Sequence, residues 1–173
     1  LPFEERGARF RDSFDYIRHM GENSSTFENA FGSPRGGMDM LPKPVGGKLP
    51  LLITGGSRQD PDWSAKNSDG WITYPRNPAM QEQVIRDWRS RIGAVDGATK
   101  SVMQPLYVDL TKDPDAPPRP MHLGFQLGTN PLRTYLKSLE KIGVNHVALN
   151  LRFNQADIES TLKRLADEIL PEV

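Results

Sequence analysis

The sequence predicts an α/β protein built on a parallel sheet. Three observations carry this: short continuous apolar runs, amphipathic helical stretches between them, and their alternation along the chain. The first helix is predicted where Phe10, Phe14, Ile17 and Met20 recur at helical spacing, with Arg6, Arg9, Arg11, Asp12 and Asp15 on the other side. From residue 21 to 48 the periodicity dissolves into Gly, Ser, Asn and Pro, including Gly36-Gly37 and Gly46-Gly47. An irregular excursion of that length is uncommon as a plain connection and is typical of functional loops.

Leu49 to Thr54 is a continuous apolar run closed by Gly55-Gly56-Ser57, as expected for a strand buried on both faces. A polar stretch with Trp63 and Ala65 follows, and Asp69 to Tyr74 reads as the second strand. A helix is predicted from about Pro78, with Met80, Val84, Trp88 and Ile92 on one face. Val102 to Leu110 is the third strand, although Pro105 lies inside it. The proline-rich residues Pro114 to Pro120 separate it from a helix carrying Leu132, Tyr135, Leu136 and Leu139. After Gly143, Val144 to Leu151 is the fourth strand, and Ile158, Leu162, Leu165, Ala166 and Ile169 stripe a last helix.

The 173 residues have the length of one ordinary domain, so a single unit over 1–173 is expected. Twenty-two basic and 22 acidic residues leave a formal net charge of zero, which provides no field to draw the protein onto nucleic acid or anionic lipid. Without cysteine there is no disulfide, thiolate or cysteine-type zinc chemistry, and a reducing, cytoplasmic setting is expected. No apolar run approaches the roughly 20 residues of a membrane span. The N-terminus lacks both an initiator Met and a signal-peptide pattern, and reads as the inside of a longer chain.

In a parallel sheet, ligands meet the C-terminal ends of the strands. Thr54-Gly55-Gly56-Ser57-Arg58-Gln59 is the first such end. Two glycines admit close backbone approach there, Ser57 offers a hydroxyl and Arg58 a guanidinium. The residues alone allow either a phosphate cradle or a strand-to-helix turn in which Ser57 caps the helix. Tyr74-Pro75-Arg76 places a phenol and a cation at the second end, and Asn150 to Phe153, with Arg152, lies at the last. His122 and His146 have no carboxylate at metal spacing, and His146 is expected to be a hydrogen-bonded core residue. No metal site is expected. Neither a Gly-x-Ser-x-Gly elbow nor a P-loop lysine occurs.

The order of these blocks resembles the bacterial luciferase-like flavin-dependent oxidoreductases. The likeness runs through Leu49 to Gln59, Ser68 to Arg76, Gln104 to Val108, His122 to Phe125, Gly143 to Leu151 and Glu168 to Pro171. It implies a (β/α)8 TIM barrel, of which this chain supplies about the last four β/α units, because a complete barrel takes about 250 residues. It also implies FMN as cofactor, ahead of the deazaflavin F420, with the flavin phosphate held by Gly55, Gly56, Ser57, Arg58 and Gln59. Tyr74, Arg76 and Arg152 would shape the substrate mouth. The function implied is an FMN-dependent monooxygenase acting with reduced flavin and O2 on a small organic substrate, its catalytic residues upstream of Leu1. The alternatives are a non-catalytic flavin-binding half barrel and an F420-dependent relative. An open half barrel exposes strand edges and its interior, so a homodimer or association with the remaining strands is expected.

Overall fold

The computed structural model describes residues 2–22, 27–33, 39–93 and 99–173. The Gly36-Gly37 pair of the 21–48 loop lies outside the described residues. Helix α1 (Arg6–Met20) precedes that loop. Then come β1 (Leu52–Thr54), α2 (Pro61–Asn67), β2 (Gly70–Ile72), α3 (Pro78–Gly93) and β3 (Ser101–Leu110). The chain continues through β4 (Arg119–Met121), β5 (Gly124–Leu127), α4 (Thr129–Lys141), β6 (His146–Asn150) and α5 (Ile158–Glu168), ending in a 3-10 turn at Leu170–Glu172.

The four expected strands are β1, β2, β3 and β6, and they pair in parallel with β3 between β2 and β6. Side chains alternate along each strand, so each supplies one set to the helices and one to the opposite face. Val102, Leu106, Val108 and Leu110 of β3 are essentially out of solvent. They join Ile85 and Trp88 of α3, Leu132, Leu136 and Leu139 of α4 and Leu165 of α5 in two adjoining clusters. Each such buried side chain contributes about 1.5–3 kcal/mol. The register places Ile72, Met103 and His146 together on the helix-free face, followed by Pro105 with Ala148 and Tyr107 with Asn150. His146 is therefore exposed on an outer strand, not in the core as the apolar run around it suggests.

Backbone direction explains Pro105. The Met103 carbonyl and the Tyr107 and Thr111 amides bond toward β2 and β5, whereas the Val102 carbonyl bonds toward the β6 side. Odd positions of β3 thus serve one edge. β2 occupies that edge up to Met103, and β5 takes it over from Tyr107. Pro105 falls in the gap between them, where its missing N–H costs no ladder bond. On the other edge β6 spans only Met103 to Tyr107, and asparagines complete the ladder. Asn145 Oδ1 accepts from the Val102 amide at 2.9 Å, and Asn154 Oδ1 from the Leu110 amide at 3.0 Å.

Three elements differ from expectation. The proline-rich stretch before α4 is not only a separator, because Arg119–Met121 pairs antiparallel with Gly124–Leu127. β4 is an edge strand, where Pro120 is tolerated. The buried face of α3 is Gln81, Ile85, Trp88 and Ile92, while Met80 is 56% exposed. On α5 the buried positions are Thr161 and Leu165, with Ile158 and Leu162 about half exposed.

Candidate functional site

The turn after β1 is held in an uncommon conformation. Gly55, Ser57 and Arg58 all have positive φ (57°, 44° and 56°), and Gly56 between them does not. The sign of φ alternates from Gly55 to Ser57, and alternation of this kind turns successive amides toward one side, as in an anion-binding nest. The Gly55 amide is used by the Ile72 carbonyl at 2.8 Å. Those of Gly56, Ser57 and Arg58 meet no acceptor among the described residues. A Cβ on Gly56 would find nothing within 4 Å, so the turn is open on that side.

The surrounding residues fix this turn. Trp71 Nε1 donates to the Gly55 carbonyl at 2.8 Å, and the Tyr74 ring packs 3.5 Å from where a Gly55 Cβ would stand. The Ser57 hydroxyl donates back to the Thr54 carbonyl at 2.9 Å. Helix α2 is capped not by Ser57 but by Asp60, which accepts from the Asp62 and Trp63 amides. Arg58 and Gln59 point their side chains toward the chain's beginning. The Arg58 guanidinium donates to the Phe3 carbonyl and stacks on its ring. Gln59 donates to the Gly7 carbonyl at 2.9 Å and accepts from Arg11 Nε at 2.6 Å. These two side chains brace the turn against the first residues of the chain and α1; Arg58 keeps its amide for a ligand, whereas the Gln59 amide donates to the Gly56 carbonyl at 2.8 Å.

Gly55 and Gly56 line a pocket of about 270 Å³ with Trp71, Trp88, Arg76 and Arg91. Arg91 donates hydrogen bonds to the Asp87 and Asp62 carboxylates, which hold it in its charged form and occupy it. The turn therefore offers a phosphate group unengaged amides and open space. Those features fit the phosphate of a flavin or deazaflavin.

Of the expected mouth residues, Tyr74 is 45% exposed beside the turn. Arg152 lies at the end of β6, its guanidinium 5.6 Å from the Phe153 ring centre, and no contact joins it to Tyr74 or Arg76 among the described residues. Arg76 is turned inward. Its Nη1 donates to Thr73 Oγ1 (2.6 Å), the Tyr74 carbonyl (3.0 Å) and Gln81 Oε1 (3.3 Å). Gln81 Nε2 donates to Gln104 Oε1 at 2.8 Å, and Gln104 Nε2 to the Tyr135 hydroxyl at 3.4 Å. Burial pushes the Tyr135 phenol up, against the opposing effect of the Gln104 bond.

This relay escapes the sequence reading, which places Tyr135 on a helix face, cites Gln104 only within a resemblance block and leaves Gln81 unremarked. The available signal is a glutamine at a core position: Gln81 one turn before Ile85, and Gln104 between Val102 and Leu106. A second group also emerges only in three dimensions. Tyr107 lies 5.0 Å from Phe153 and 6.0 Å from His122 between ring centres, which brings His122 from the β4–β5 turn to the end of β3. Among the described residues no cluster of three or more metal-ligating side chains forms. No helix among them is long and apolar enough to cross a membrane.

A parallel sheet with helices on one face and ligand-facing turns at its strand ends defines part of an α/β barrel. The chain belongs to the luciferase-like monooxygenase family, whose model matches residues 1–165. Its fold is similar to that of an F420-dependent secondary alcohol dehydrogenase in complex with an F420-acetone adduct, with a TM-score of 0.69 at 13% identity. That similarity covers 98% of this chain and 63% of that one. DmoA from Hyphomicrobium sulfonivorans is similar with a TM-score of 0.60 at 14% identity, over 99% of this chain and 56% of that one. The chain thus spans less than two thirds of either structure. No curated protein sequence matches it significantly.

Proposed function

We propose that this chain carries the cofactor-phosphate turn of a luciferase-like monooxygenase that uses reduced FMN and O2 on a small organic substrate. The observation that carries the reading is the set of three unengaged amides at Gly56, Ser57 and Arg58, at the C-terminal end of a parallel strand. When bound, reduced flavin supplies the reducing equivalents and the reaction with oxygen. The chain's own residues bind and orient. The Gly56, Ser57 and Arg58 amides meet the phosphate, Trp71 fixes the turn through the Gly55 carbonyl, and Tyr74 covers one side of it. Tyr107, His122 and Phe153 line the helix-free side at the end of β3 and form one wall of the substrate mouth, with Arg152 beside Phe153.

An F420-dependent relative is the second reading, supported by the F420-dependent alcohol dehydrogenase of similar fold. The turn recognises the phosphate that the two cofactors share, so a direct comparison of FMN and F420 binding decides between them. The helix-free face carries Leu52, Ile72 and Met103, which favours a partner, either a second copy or the remaining strands of a barrel.

The test is a fluorescence titration of the purified protein with FMN. Gly56→Ala meets no neighbour, so the fold persists while the methyl intrudes on the ligand, and FMN affinity falls about tenfold or more. Ser57→Ala keeps the amide but removes the hydroxyl bond that closes the turn on the Thr54 carbonyl, and loosening the turn reduces affinity by about two- to tenfold. Unchanged affinity in both variants sinks the site. Transfer of an oxygen atom from 18O2 into an organic substrate in the presence of reduced flavin, which autoxidation of the flavin does not produce, separates a monooxygenase from a flavin-binding protein without turnover.

A further inference from the structure

Beyond the cofactor turn, the structure holds a second pocket of about 460 Å³ between the β2–α3 connection, the β4–β5 hairpin and α4, with Arg76 at the boundary between it and the pocket beside the turn. Pro75, Pro78, Met121, Leu123 and Phe125 supply apolar walls, and Arg76 and Tyr135 are its two charge- or proton-bearing groups. No carboxylate lines it.

The hydrogen-bond direction at this pocket follows from chemistry. A guanidinium only donates, so Gln81 must turn its oxygen to Arg76. Its amide nitrogen then faces Gln104, whose oxygen accepts and whose nitrogen is left to donate to Tyr135. The Tyr135 oxygen is thereby an acceptor toward the interior, and its own proton has no acceptor among the described residues. Arg76 uses only Nη1 internally, so Nη2 and Nε are likewise without an acceptor. One apolar pocket therefore presents a cation with spare N–H groups and a phenol O–H.

We propose that this pocket binds a small monocarboxylate with an apolar body, the carboxylate accepting from Arg76 and the Tyr135 hydroxyl while the body lies against Met121, Leu123 and Phe125. The volume is that of a small-molecule site, and mostly apolar walls with a few polar groups are the usual composition of one. A fork of N–H donors matches a carboxylate geometrically. Gln81 and Gln104 are positioning residues that hold the two donors in this polarity.

The experiment titrates the full-length chain with 3-phenylpropionate and with the isosteric 3-phenylpropionamide, following the 13C-methyl resonance of Met121, assigned with Met121→Leu. The acid is expected to saturate and to shift Met121, and the amide to bind about tenfold or more weakly. Arg76→Gln weakens the acid by about tenfold, and Tyr135→Phe, which keeps the ring, by about three- to tenfold. FMN should leave the acid's dissociation constant unchanged. Acid and amide binding alike in the wild-type protein, a Met121 resonance that does not move, or displacement of the acid by FMN each overturn the proposal. The acid–amide comparison needs no variant, so a misfolded mutant cannot obscure it. FMN binding that fails while the acid still saturates refutes the cofactor turn alone.

Discussion

Gln81 Nε2 and Gln104 Oε1 meet at 2.8 Å with both side chains wholly out of solvent, a polar bridge from α3 to β3 in the middle of an apolar layer. Polar groups at such depth are tolerated only when paired, and here each amide has a partner on both sides.

Gln81→Leu removes the acceptor from Arg76 and leaves Gln104 Oε1 buried without a donor. Urea unfolding should show a loss of about 1–3 kcal/mol. Combining it with Gln104→Leu should cost less than the two single losses together, because the pair acts as a unit. Strict additivity would show that the glutamines are not coupled.

Asp69 contributes to the acid limb of stability. Burial disfavours its ionised form, but hydrogen bonds from Lys48 and the Leu51 amide and the charge of Arg18 outweigh this and hold its pKa below the usual carboxylate value of 3.8. A folded pKa below the unfolded one stabilises the protein above about pH 4, and this contribution disappears as pH falls through the folded value. Asp69→Asn should lower stability by about 1–2 kcal/mol at pH 7 and by much less near pH 2. A constant difference across that range would contradict the linkage.

Gly124 begins β5 opposite Tyr107, and a Cβ there would collide with the Tyr107 carbonyl, a backbone atom that cannot move aside alone. Gly124→Ala should destabilise the protein by about 1–3 kcal/mol and increase amide exchange at Tyr107, whose N–H bonds the Leu123 carbonyl. Gly56→Ala, with nothing within 4 Å, is the matched control and should leave the melting temperature nearly unchanged.

Asn154 ties three elements together, accepting from the Leu110 amide and donating to the Ala156 carbonyl and to Thr161 Oγ1 at the start of α5. Asn154→Leu leaves a β3 amide without its acceptor. The expected cost is about 1–3 kcal/mol, with amide exchange at Leu110 rising more than at Val102, whose acceptor is Asn145. Equal protection at Leu110 in the two proteins would mean that another acceptor replaces it.

The sequence by itself determined the parallel α/β class, four strands within a few residues of their observed ends, the helices at α1, α3, α4 and α5, and the glycine turn after β1. All of these are local signals. Apolar runs, helical periodicity and Gly-Gly-Ser are properties of neighbours in the chain, so the sequence displays them directly. The family resemblance rests on the order of the same blocks, and the model match over residues 1–165 agrees with it.

Tertiary structure alone decided the buried faces of α3 and α5, where the β4–β5 hairpin docks and what the polar residues do. Residues 76, 81, 104 and 135 are scattered over the β2–α3 connection, α3, β3 and α4, and only the pairing of β3 with its neighbours and the packing of α3 and α4 above it bring them into one relay. Arg58 and Gln59 illustrate the same limit. Their identities suggest ligand contacts, but the docking of α1 and the residues just before it supplies the Phe3 and Gly7 carbonyls that take their side chains. A hydrogen-bonding group is committed by the partner that reaches it first, and that partner is set by long-range packing rather than by local sequence.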